Sequence, residues 1–330
     1  MRNRYFSGSP SDHFDGSLFF NPDGQLPGGL RDAYRMITQD KRARWPKAWP
    51  SPFPQAVPEA RLDGDALRIT MVGHASILIQ TAGLNIITDP VFAHRVSPFR
   101  YLGPTRVNQP GIRLEDLPAI DLILLSHNHY DHMDLSAIGD LVSRHDPLIV
   151  TPLGNDRIIH AKVPKARIVT GDWHDRIVFN KDVTIHIEPA HHWSARWTRD
   201  RRMALWSAFL IETPGGQIYF AGDTGFHDGI NFRDTAKRHG ALRFALLPIG
   251  AYEPRWFMQA QHQNPSEAVE AFKILDAPYA GGYHWGTFQL TAEAVDAPAL
   301  MLDAALDEAA IARERFKALR PGQIWDIPAL

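Results

Sequence analysis

At 330 residues and 44% apolar content, the chain is long enough for one large α/β domain or two modest ones and too apolar for wholesale disorder. A formal net charge of −2 offers no field to hold a polyanion, which argues against nucleic acid as a partner. Cysteine is absent, so disulfides, thiolate metal sites and a cysteine nucleophile are excluded, and any metal must be held by His, Asp or Glu.

Residues 1–65 read as an irregular arm packed on a catalytic body formed by 66–330. The arm is rich in Gly, Pro, Ser and Asp and shows little periodicity. Its segment KRARWPKAWPSPFP places Trp45 and Trp49 among basic residues. That pattern fits an extended arm lying on the body, or a contact with anionic lipid headgroups. The first residues lack an apolar run of signal-peptide length, and no stretch approaches a membrane span. The expectation is a cytoplasmic protein that touches membranes peripherally.

From Leu67 the pattern becomes β-rich: LRITMV, ASILIQT and, after a turn at Ala82 and Gly83, LNIITDP. A loop from Val91 to about Leu117 precedes the buried strand IDLILLS. Leu135, Ile138, Leu141 and Val142 then recur at helical spacing, with Asp134 as cap. PLIVTP, ARIVT, VTIHIEP, ALWSAFLIET, GQIYF and RFALLPIG read as further strands. Asn264 and Pro265 open a helix. Leu302, Ala305, Leu306, Ala309, Ala312 and Phe316 form one apolar stripe, and QIWDI closes the chain as a strand. Two β-rich blocks, each followed by helices, predict two packed sheets covered by helices.

The chemistry concentrates in SHNHYDH, just past the strand ending at Leu125. His127, His129, Asp131 and His132 lie within six residues. Crowded imidazoles repel when protonated and are costly to bury unpaired, and a shared divalent cation removes both problems. Outside that cluster lie His191 and His192 in PAHHW, Asp223 in FAGDTG, and His284 in GGYHWG. Periodicity alone does not choose between His191 and His192, because neighbours on an extended chain face opposite ways.

The SHNHYDH cluster resembles the metallo-β-lactamase superfamily signature. The resemblance implies an α/β fold, the αββα sandwich of two mixed sheets flanked by helices. It also implies two Zn2+ ions, with other divalent transition metals acceptable. Carried over, His127 and His129 serve the first ion, Asp131 and His132 the second, Asp223 bridges, and His284 completes the set. The His-Trp pair resembles one subfamily's motif, which selects His192 and leaves His191 exposed or in support. VGHASILIQ and IITDPVF resemble the opening strands of the phospholipase D-like and lactonase-like branch, where His74 and Asp89 would orient ligands from behind. PIGAYEPRWFM and HFDGSLFFNP resemble the N-acyl-phosphatidylethanolamine-hydrolysing phospholipase D family, over roughly residues 10 to 290.

That family resemblance implies a phosphodiesterase releasing N-acylethanolamine and phosphatidic acid, with Asp131 handling the proton. It further implies a phospholipid or small phosphodiester substrate, membrane contact and a homodimer. Tyr130, Arg196, Arg255 and Trp256 are the candidate substrate contacts, since arginine suits phosphate and aromatic rings suit acyl chains. A lactonase or amide hydrolase would use the same donors, and a silent binding protein could retain them.

Overall fold

The computed structural model describes residues 2–25, 28–39, 41–99 and 101–330. After α1 (Leu30–Gln39), strands β1 (Leu67–Gly73), β2 (Ser76–Thr81) and β3 (Leu84–Thr88) run back and forth. Then β4 (Leu122–Leu124), α2 (Leu135–His145), β5 (Leu148–Pro152), α3 (Asn155–Lys162) and β6 (Arg167–Gly171) complete a parallel half. The scheme recurs in β7 (Arg176–Val178), β8 (Thr184–Glu188), β9 (Ala208–Thr213) and β10 (Gly216–Phe220). It ends with α4 (Ile230–His239), β11 (Phe244–Pro248), α5 (Arg255–Met258), α6 (Pro265–Leu275), β12 (Tyr279–Tyr283), α7 (Ala297–Glu308), β13 (Phe316–Ala318) and β14 (Ile324–Asp326).

The strands form two seven-stranded sheets, β14-β1-β2-β3-β4-β5-β6 and β13-β12-β11-β10-β9-β8-β7. In the order given, the first sheet has three antiparallel pairings and then three parallel ones, and the second has three parallel and then three antiparallel. Ile69, Ile77, Ile79 and Ile86 of one sheet pack against Ile185, Phe209, Ile211 and Phe220 of the other. Each such buried side chain contributes roughly 1.5–3 kcal/mol. The outer faces are sealed by α2 and α3 on the first sheet and by α4, α6 and α7 on the second. This is the αββα sandwich expected from the sequence.

Local signals explain the element ends. Ala82 and Gly83 both take positive φ in the tight β2–β3 turn. The Asp134 carboxylate accepts from the backbone N–H of Ser136 and Ala137, and Asn264 forms a capping box with Glu267. One expectation fails: the apolar stripe of α7 overruns the helix. α7 ends at Glu308, Ala310 takes φ 54°, and Phe316 belongs to β13.

The arm is also more ordered than its composition indicates. Besides α1, it forms a bridge between Phe14 and Phe19, whose rings pack with Leu205 and Trp206. Trp49 lies against Trp285 with Arg320 over its face, and the Trp45 indole donates to the Glu293 carbonyl. Both tryptophans therefore contact the body.

His13 anchors the arm, with its ring nitrogens 2.6 Å from Asp12 and 2.7 Å from Asp172 and its ring stacked on Trp173. Burial opposes its charge, yet the two hydrogen-bonded carboxylates outweigh it and raise its pKa above 6.5. Because the folded value is raised, the stabilisation is fully present below the unfolded value and is lost as pH rises through the folded one. Wild type is thus expected to out-melt His13→Gln at pH 6, with the gap shrinking toward pH 9. An equal gap at both pH values would contradict this assignment.

Candidate metal centre

Most of the chemically interesting side chains sit just past a strand end. Asp89 follows β3, His127 to His132 follow β4, His192 follows β8, Asp223 follows β10 and His284 follows β12. His74 lies in the β1–β2 turn. His74, Asp89 and His284 take φ of 57°, 32° and 65°, a region non-glycine residues rarely occupy, so the chain bends sharply to aim them. Gly222, at φ 59°, lets the backbone pass where a Cβ would lie 2.7 Å from the Ser207 carbonyl oxygen. The Tyr283 hydroxyl donates to the Gly222 carbonyl and braces that turn.

Two groups of donors result. In the first, Nε2 of His127 and Nε2 of His192 lie 2.9 and 3.2 Å from Nδ1 of His129. In the second, Nε2 of His132 and Nε2 of His284 are 3.5 and 3.4 Å from Oδ2 of Asp131 and 3.2 Å from each other. Asp223 lies between them: its Oδ2 is 3.1 Å from both His132 and His284 and 3.7 Å from His192.

The outer partners fix which nitrogen carries the proton. The Asp89 carboxylate accepts from the Ser126 backbone N–H, from the Ser126 hydroxyl at 2.6 Å and from Nδ1–H of His132 at 2.7 Å. With its proton given to Asp89, the Ser126 oxygen accepts from Nδ1–H of His127 at 2.9 Å. Nδ1–H of His192 donates to the Gln261 carbonyl at 3.0 Å. In each ring Nδ1 is engaged, so Nε2 is the nitrogen that faces the centre; burial opposes charge on His132 and His284, yet Asp223 and Asp131 raise His132 well above 6.5 and His284 to about 9. Burial, then neighbouring imidazoles, hold His127 well below 6.5, and burial brings His192 down to about 4. Burial opposes the charges of Asp131 and Asp223, but His132 and its neighbours hold both well below the usual carboxylate range. Imidazole nitrogens and carboxylates converging in a buried space fit a divalent transition cation, which would take the place of the protons that the carboxylates hold on His132 and His284.

His74 donates from Nε2 to Asp131 at 2.9 Å, so it and Asp89 both stand behind the donor set. Asp89→Asn is accordingly expected to weaken metal affinity about tenfold to a hundredfold, because it misdirects His132 and, through Ser126, His127. Competitive chelation measures this. Unchanged affinity would reduce Asp89 to a packing role.

A cavity of about 630 Å3 opens onto the donors. His129, Asp131, Asp223 and His262 form its floor, and Phe99, Trp193, Trp197, Phe257, Met258 and Leu290 form much of its wall. Tyr130 and Arg196 also line it, with the Arg196 guanidinium 3.9 Å over the Tyr130 ring and hydrogen-bonded to the Asn128 and Met133 carbonyls. Arg201 lies over Trp193 and lines the same space.

Three sequence expectations change. Arg255 is not in the cavity: its guanidinium binds both Glu267 oxygens at 2.8 Å and the His262 carbonyl, holding the turn into α6. Trp256 packs under Arg35 and against Phe257, so its two successors, Phe257 and Met258, reach the cavity instead. His191 is buried rather than exposed, its ring tilted against that of His227 at 4.1 Å and bonded to Asn231. Sequence reasoning also missed His262. Its Nε2 lies 4.0 Å from Asp223, and its ring meets those of His192 and His284. AQHQN carries no motif, and only the fold brings it there.

The β-lactamase superfamily domain model matches residues 84–285, a span that holds all seven donors. The chain belongs to the β-lactamase superfamily. It is a metal-dependent hydrolase of that group, and its relatives narrow the branch. The chain is 35% identical over 271 residues to the Caenorhabditis elegans N-acyl-phosphatidylethanolamine-hydrolyzing phospholipase D 1, spanning 78% of this chain and 75% of that one. An uncharacterized Mycobacterium tuberculosis protein is 35% identical over 268 residues, 79% of this chain and 70% of its own. Among solved structures, isothiocyanate hydrolase from Delia radicum gut bacteria superposes with a TM-score of 0.64 at 20% identity, over 80% of this chain and 100% of that one. That last likeness shows the fold alone.

Proposed function

We propose that this superfamily member is a binuclear, zinc-type phosphodiesterase that cleaves N-acyl-phosphatidylethanolamine-like lipids to N-acylethanolamine and phosphatidic acid. The observation that carries the reading is the cavity, which joins a polar, metal-fitting floor to aromatic and aliphatic walls. A phosphate matches the first and an acyl chain the second. The relationship to the C. elegans phospholipase D supports the same substrate class.

His127, His129 and His192 would hold one cation and Asp131, His132 and His284 the other, with Asp223 between them. When bound, the cations supply Lewis acidity, lowering the pKa of water and offsetting charge on phosphoryl oxygens. The chain's own groups do the rest. Asp131, held by His74, takes the proton of the attacking water. The water oxygen bonds to phosphorus, the bond from phosphorus to the N-acylethanolamine oxygen breaks, and the proton passes to that leaving alkoxide. His262 faces the cavity and is placed to donate to a phosphoryl oxygen. Phe99 and Trp197, each about half exposed, stand at the mouth, and the neighbouring Tyr101 and Leu102 are more exposed still. Such an apolar rim suits peripheral docking on a lipid surface. Among the described residues no helix is long and apolar enough to cross a membrane.

The test is hydrolysis of N-acyl-phosphatidylethanolamine by metal-loaded protein, with both products measured and Asp131→Asn as control. Metal-dependent release of both products, reduced by ~10^2-fold or more in the variant, is expected for loss of a proton-transfer group. A metallated protein that leaves this lipid intact would overturn the lipid reading in favour of a water-soluble diester or lactone.

A further inference from the structure

A second group of metal-type ligands lies on the outer face of the second sheet, away from the cavity. In β8, Ile185 and Ile187 point into the inter-sheet core, so His186 and Glu188 face outward beneath α4. His239, the last residue of α4, places Nε2 2.9 Å from Oε1 of Glu188. From β9, Oε2 of Glu212 lies 3.1 Å from Nε2 of His186. The two imidazole rings are 4.7 Å apart, and one donor atom from each of His186, Glu188 and His239 lies within 4.8 Å of the others. The Gln217 amide donates to the His239 carbonyl and fixes that end of α4.

We propose that His186, Glu188, His239 and Glu212 form an additional site for a zinc-type divalent cation. Two imidazoles and two carboxylates are donors zinc accepts, and four-coordinate zinc with ligand bonds near 2.1 Å needs donors roughly 3.4 Å apart. His186, Glu188 and His239 already offer donors within 4.8 Å of one another, and Glu212 joins them through His186. Glu188 is fully buried, so its charge needs a strong partner. Arg238 supplies one at 3.3 Å, but Arg238 is also 3.5 Å from Asp234, one helical turn back. It can pass to Asp234 when a cation takes Glu188. The site would clamp α4 to β8. β8 leads to His192, and α4 follows the loop that carries Asp223, so occupancy would brace both supports of the catalytic centre.

The test is equilibrium dialysis of the active-site-loaded protein against micromolar Co2+, counting cobalt per chain and reading its visible absorption. Wild type is expected to take up one cobalt more than the double variant His186→Gln, His239→Gln. Equal uptake would overturn the site. Should the double variant misfold, Glu212→Gln alters only a half-exposed carboxylate and is expected to weaken the extra cobalt about tenfold. Unchanged affinity there would count against the proposal. Arg238→Ala separates a metal site from a purely structural ion-pair network. Removing the competing guanidinium should tighten cobalt binding if Glu188 is a ligand. Binding only at millimolar cobalt, or no tightening, would leave the cluster as an ion-pair network.

Discussion

Asp223→Asn is expected to lower turnover by ~10^3-fold or more, beyond the tenfold to hundredfold cost of losing an outer partner. The reason is position. Asp223 Oδ2 is within 3.7 Å of Nε2 on His132, His284 and His192, so one oxygen serves both donor groups. An amide of the same shape turns a negative charge into a neutral dipole with an N–H facing imidazole lone pairs. Metal content and kcat should fall together, and far-ultraviolet circular dichroism should stay unchanged. A fully metallated, active Asp223→Asn would show that the two groups do not share this residue.

Exhaustive chelation should lower the melting midpoint by on the order of 10 °C. A ligand present at a thousand times its Kd stabilises the folded state by about 4 kcal/mol per site. Seven side chains converge on this centre from loops of both sheets. Without cations, crowded imidazoles and low-pKa carboxylates are left together in a buried space. The stabilisation should fade as pH falls, because imidazole ligands must shed protons to bind metal. Refilling with Zn2+ should restore the midpoint. Identical melting of the stripped and filled forms would mean that the site binds metal weakly or is preformed at no cost.

The parts of this site legible in the sequence are those written locally. SHNHYDH puts four donors in six residues after an apolar strand, and that density is visible without a fold. The sandwich is legible for the same reason, since strand runs and helix caps are short-range signals. Other features depend on contacts across the chain. The difference between His191 and His192 comes from what binds each Nδ1, an Asn on α4 in one case and the Gln261 carbonyl in the other. His262 joins the floor only because Arg255 and the α6 capping box hold its loop in place. Arg255 looked like a phosphate ligand because its charge is plain in the sequence while its partner Glu267 is twelve residues away. β12, YAGGY, has little strand propensity of its own. It forms between β11 and β13, where a side chain on Gly281 would collide with Leu319.

The twin arrangement of the sheets has a consequence for how the enzyme comes to maturity. One sheet's loops carry His127, His129, Asp131 and His132, and the other's carry His192, Asp223 and His284. Neither half of the chain holds all seven donors. During synthesis the first half emerges with its four donors clustered but short of the partners that complete their coordination. On the proposed assignment, filling the group of Asp131, His132 and His284 must therefore wait until β12 has docked and His284 has swung into place. Loading is thus a late checkpoint: an ion retained through dilution certifies that both halves have met in the right register.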